Sequence, residues 1–69
     1  MTVTQKEIES RTEAIEEQLE LLFKANMKIT DWDVPEADDQ LAAELIAEVL
    51  QNKLDEIKKD VKARKYEFY

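Results

Sequence analysis

The chain contains no glycine, no histidine and no cysteine, and only one proline, Pro35. Each absence removes a class of chemistry. Without cysteine there is no disulfide framework, no thiol nucleophile and no Cys-based zinc or iron–sulfur site. Without histidine the commonest general base and the commonest metal ligand are gone. Without glycine the phosphate cradles of P-loop and dinucleotide-binding folds cannot form, because their backbone must approach the phosphates closely. Ser10, the sole serine, has no base beside it, so nucleophilic catalysis is not expected. No apolar run exceeds three residues, so neither a transmembrane span nor a signal-peptide core is expected, and a cytoplasmic protein is.

What remains is acidic and amphipathic. The 69 residues carry 17 acidic and 10 basic side chains, a net charge of −7, with 43% hydrophobic residues. That apolar content is too high for simple disorder. The acidity argues against direct nucleic-acid binding, which needs a basic stripe. A chain this short forms one domain whose core supplies little stability, so a partner or a second copy is expected to complete it.

Thr4-Gln5-Lys6-Glu7 fits a capping box, with Val3 and Ile8 as the matching hydrophobic staple. Ile8, Thr12, Ile15, Leu19, Leu22 and Asn26 then alternate at spacings of four and three, a helical seam with two polar interruptions. Asn26, with Met27 beyond it, suits a left-handed stop. The first helix is therefore expected over residues 5–26 and a turn over 27–34. Pro35 suits the first turn of a second helix, over 35–66, with Asp33, Glu36, Asp38 and Asp39 complementing its dipole. The broad apolar stretches 19–27 and 41–50 flank the turn and should meet there, closed by Ile29 and Trp32. The expected fold is all-α: an antiparallel helical hairpin in which the longer second helix overhangs Thr4.

Two helices cover only one side of each apolar face, so the hairpin is expected to dimerise into a four-helix bundle. The expected dimer seam is Ile8, Ile15, Leu19, Leu22, Leu50, Leu54, Ile57 and Val61. Charge selects the orientation. Residues 1–30 carry 4 basic and 6 acidic groups, net −2; residues 31–56 carry 1 and 9, net −8; residues 57–69 carry 5 and 2, net +3. An antiparallel dimer sets the basic end of one chain beside the acidic turn of the other.

Three groups of residues are candidates for binding a protein partner. Glu9, Glu13, Glu16, Glu17 and Glu20 form a face of one sign, either simply solubilising or a docking face for a basic protein. Only Glu7–Arg11 and Glu20–Lys24 are well-placed opposite-charge pairs on the first helix. Asp31, Trp32 and Asp33 lie at the turn. Tyr66, Phe68 and Tyr69 place three of the five aromatics in the last four residues, where they suit an interface better than a free tail. The acidic turn lacks the glycine and the distal glutamate of a calcium loop, and no metal or cofactor is expected. Lys58, Lys59, Lys62, Arg64 and Lys65 complement the end of the second helix.

The expected function is non-enzymatic: a small acidic interaction module that acts as a regulator, inhibitor or assembly factor by occupying a partner's surface. One alternative is an acidic nucleic-acid mimic of the viral or mobile-element type that blocks a nucleic-acid-binding protein. Another is a structural subunit ordered only within a larger assembly. Neither a membrane nor a small-molecule substrate is expected.

Overall fold

The structure, a computed structural model, describes residues 2–69 and consists of two helices, α1 over Val3–Asp33 and α2 over Asp39–Lys62. They form an antiparallel hairpin, and the sequence-based fold class holds. The register can be read from the grooves between them. Phe23 of α1 lies beside Leu50 of α2, while the earlier residues Glu16 and Leu19 lie beside the later residues Gln51 and Leu54.

Both ends of α1 differ from expectation. The capping box is built by Thr2, not Thr4: the Gln5 amide donates to Thr2 Oγ1 at 3.1 Å, and the Thr2 amide donates to Gln5 Oε1 at 2.8 Å. Thr2-x-x-Gln5 satisfies the same rule as Thr4-x-x-Glu7, and the outer pair gives the longer helix. Val3 is then the first helical residue and stands free in solvent, so no Val3–Ile8 staple forms.

At the other end Asn26 does not stop the helix. Its side-chain amide donates to the Leu22 carbonyl at 2.9 Å, and Thr30 Oγ1 donates to the Asn26 carbonyl at 3.0 Å. Polar side chains that bond back four residues are accommodated within a helix. Nothing between Met27 and Asp33 removes an amide or favours positive φ, so α1 continues for about two more turns. It ends at Val34, whose φ of −136° and ψ of 80° lie outside the helical region that Pro35 disfavours in its predecessor.

The second helix starts later than expected. Pro35 belongs to the turn, and Asp38 is the cap, its side chain accepting from the Gln40 and Leu41 amides at 3.0 and 3.1 Å. Asp31 and Asp33 consequently sit in the last turn of α1, where the helix dipole disfavours negative charge, rather than ahead of α2.

The end of α2 carries the left-handed stop that Asn26 does not. Arg64 has φ of 62°, the Lys65 amide donates to the Asp60 carbonyl at 3.0 Å, and the Arg64 amide donates to Val61 at 2.9 Å. This is a Schellman closure without glycine. The left-handed residue is held by a two-pronged contact from the Arg64 guanidinium to Glu67, at 2.8 and 2.9 Å. Lys65 Nζ lies 3.2 Å from Asp60, an ion pair where such closures usually make an apolar contact. Residues beyond Lys62 are therefore turns, not helix.

The relative lengths are reversed from expectation. α1 has 31 residues and α2 has 24, so the amino-terminal turns of α1 overhang. The helices meet from the turn as far as Leu19 and Leu54. Phe23, Asn26, Met27 and Thr30 of α1 and Ala42, Ala43, Ile46 and Leu50 of α2 are partly shielded, whereas every residue from Thr2 to Leu22 is exposed. Trp32 does not close this end. With α1 helical through Asp33, Trp32 lies nine residues past Phe23, about 180° round the helix at ~100° per residue, and is 87% exposed. Ile29 is likewise turned outward.

Candidate functional site

No described side chain is buried. The chain exposes 6439 Å², whereas a compact monomer of its mass would expose about 4,500 Å². Its radius of gyration is 15.9 Å, against about 11 Å for a compact domain of 69 residues. Ordering a residue costs about 1.5 kcal/mol in conformational entropy, and apolar burial must offset it. A hairpin in which no described side chain is buried offsets little of that cost by itself. The physically notable feature is therefore a surface, not a cleft.

That surface has two unlike sides, and the grooves between the helices define them. One groove is bordered by Asn26 of α1 and by Leu45, Ile46, Val49 and Leu50 of α2. The other is bordered by Glu16, Leu19, Glu20 and Phe23 of α1 and by Ala47, Leu50, Gln51 and Leu54 of α2. Leu50 borders both and marks the midline between the two sides.

Beyond the first groove, α1 presents Ile8, Ile15, Leu22 and Ile29, all roughly half exposed and on the Asn26 side of the helix. On α2 the same side carries Leu41, Leu45 and Val49, the last of these 66% exposed. This is one apolar face built from both helices, and nothing among the described residues covers it.

The other side is acidic. Glu9, Glu13, Glu16, Glu17 and Glu20 all point outward, with Glu16 and Glu20 on the lip of the second groove. The two opposite-charge pairs read from the sequence both form, Glu7–Arg11 at 3.6 Å and Glu20–Lys24 at 3.2 Å. Glu9, Glu13, Glu16 and Glu17 make no ion pair among the described residues, so four carboxylates stand free along one face.

The expected seam residues fall into separate places. Ile8, Ile15 and Leu22 belong to the apolar face. Leu19, Leu50 and Leu54 border the intrachain groove. Ile57 is partly shielded, and Val61 lines a shallow hollow at the carboxy terminus with Lys62, Arg64, Tyr66 and Glu67. Asp31, Trp32 and Asp33 project from the last turn of α1. At the carboxy terminus Tyr66 and Tyr69 stack edge to face with centroids 5.8 Å apart, while Phe68 is 94% exposed. Asp31, Trp32 and Asp33 lie at the turn end of the hairpin and Tyr66, Phe68 and Tyr69 beyond the far end of α2, so these two groups do not form one site. The face that sequence reasoning did not isolate is the one made jointly by Ile29, Leu41, Leu45 and Val49 with the expected seam residues Ile15 and Leu22. Its signal was the seven-residue recurrence from Ile8 to Ile29.

Electrostatics are unusual at the turn. The Asp39 carboxyl is held above the ordinary carboxylate range by a hydrogen bond shared with Asp31, then by the Asp31 charge, by desolvation and by the Asp38 charge. A carboxyl raised in the folded state favours folding on the acid side, and that contribution is lost as pH rises through its folded-state value. Asp31→Asn is expected to bring Asp39 down toward the ordinary range, read as the midpoint of its carboxyl-carbon shift in an NMR pH titration. An unchanged midpoint would contradict the pairing. Glu67 behaves oppositely: the Arg64 guanidinium lowers it, so its contribution is present at neutral pH and lost as pH falls through its folded-state value.

Among the described residues no three histidine, cysteine or carboxylate side chains come together as a metal site, and no helix is long and apolar enough to cross a membrane. No protein-family model matches the chain, and no curated protein or solved structure matches it either.

Proposed function

We propose that this chain is a non-enzymatic interaction module, a regulator, inhibitor or assembly factor of the cytoplasm, that works by pressing its apolar face against another protein surface. The observation that carries this reading is the uncovered face of Ile15, Leu22, Ile29, Leu45 and Val49 on a hairpin none of whose described side chains is buried. Such a patch, rimmed by charge, marks an association surface rather than a solvated one. The chain carries neither histidine nor cysteine, the side chains most used for general-base and thiol chemistry, which supports this reading.

The test is amide hydrogen exchange read together with mass on the same sample. Every species with slowly exchanging amides in α1 and α2 should be heavier than the 8.1 kDa chain. A protected monomer would overturn the reading, because it would show that the face needs no cover.

A second reading, the acidic mimic of nucleic acid, is favoured by one observation: the four unpaired glutamates Glu9, Glu13, Glu16 and Glu17 along one side of α1. It predicts steep loss of partner binding with salt, whereas docking through the apolar face predicts little. A structural subunit of a larger assembly would use the apolar face in the same way.

A further inference from the structure

We infer that the occupant of the apolar face is a second copy of this chain, laid antiparallel about a two-fold axis that passes near Gln18 and Leu19. The inference rests on the interaction reading and names its first partner. Four observations converge on it.

The apolar residues of α1 have the symmetry a self-pairing surface needs. Ile8, Ile15, Leu22 and Ile29 recur every seven residues, the spacing that keeps a seam facing a neighbouring helix. Reversing the helix about the midpoint of this series sets Ile8 level with Ile29 of the second copy and Ile15 level with its Leu22. An isologous interface imposes that condition: residue i meets j, and j meets i.

The overhang has a place in this arrangement. Phe23 lies beside Leu50, and Leu19 beside Leu54. Continuing that register puts the end of α2, at Lys62, level with about Arg11. The turns of α1 before Arg11 therefore have no α2 next to them. In the antiparallel pair this uncovered stretch, with Ile8, lies level with Ile29 and Leu45 of the second copy. Each chain's overhang covers the strip that the other chain's α2 leaves open.

Charge selects the same orientation. The segment 31–56, net −8, lies at one end of the hairpin, and residues 57–69, net +3, lie toward the other. The antiparallel pair sets these side by side twice, whereas a parallel pair would stack like on like.

Area is the fourth. Each chain exposes 6439 Å², about 1,900 Å² more than a compact monomer of its mass. That surplus leaves each chain room for an interface of the ~800 Å² per partner that a standard one needs.

The chain has no cysteine, so single-cysteine variants report neighbours directly. With a short bifunctional thiol cross-linker, Gln18→Cys should join to itself and give twice the chain mass. Ile8→Cys should not join to itself, because its two copies lie about 31 Å apart. It should join to Ile29→Cys when the two variants are mixed and refolded together. The self-linked yield at Ile8→Cys is expected to be at least tenfold below that at Gln18→Cys. Equal self-linking at both positions would mean a parallel pair and would overturn the proposal. No linking anywhere, in a monomer with rapidly exchanging amides, would overturn the second copy and leave the interaction reading standing. No linking in a monomer with protected amides would overturn both.

Discussion

Leu22→Asp is expected to dissociate the pair and to melt most of the helix with it. In the proposed pair Leu22 sits near the two-fold axis; in the single chain it is half exposed, with Ile15 and Ile29 on the same apolar face. Losing the buried leucine removes about 1.5–3 kcal/mol per copy. An aspartate enclosed there without a partner charge adds several more or must take up a proton. Symmetry applies both penalties twice. At 1.4 kcal/mol per factor of ten, the dissociation constant should rise by at least ~10³. Sedimentation equilibrium reads this directly. Glu13→Gln, on the acidic side, should leave the constant within about threefold, since isolated surface changes fall within about ±0.5 kcal/mol. Equal loss in both variants would place the interface elsewhere.

Phe23→Ala is expected to loosen α2 from α1. Phe23 is the largest of the partly shielded side chains of α1 and borders the groove formed with Leu50 and Leu54. Full burial of a phenylalanine would make its loss worth about 3–5 kcal/mol; partial shielding reduces this to about 2 kcal/mol. Few other described side chains are shielded between the helices. Exchange protection in α2 should fall roughly thirtyfold, and Leu50→Ala should add less than its full effect on top, since both line one groove. Full additivity of the two would mean that they do not share a contact.

Several elements were legible in the sequence for identifiable reasons. The two helices follow from apolar spacing, and the break between them from Pro35, whose steric demand on Val34 is local and unconditional. Glu7–Arg11 and Glu20–Lys24 follow from i,i+4 geometry alone, and both form. The boundaries were less legible because the competing signals are of equal strength. Thr2 and Thr4 each head a capping-box pattern, and only the helix's extra half turn distinguishes them. Asn26 serves equally as a left-handed stop and as a side chain that bonds back to Leu22, and the unbroken stretch to Asp33 decides for the second. That extension rotates Trp32 to the outside, so one boundary carried the error in the turn. At the other end Arg64 adopts the left-handed conformation that propensity gives to glycine or asparagine, and its support from Glu67 lies beyond the stop itself.

The acidic side was legible because helical spacing gathers Glu9 to Glu20 whatever lies opposite. The apolar side was not divisible from sequence. Apolar residues that pack within the hairpin and those left for a partner follow overlapping three-four spacings, and only the placement of α2 separates Leu19 and Leu54 from Ile15 and Leu22.

The most direct measurement is the solution mass across a dilution series, with helicity recorded on each sample. Folding through a second copy predicts twice the 8.1 kDa chain when concentrated, with helicity and mass falling together on dilution. A species of 8.1 kDa that keeps its full helicity at every concentration would contradict it.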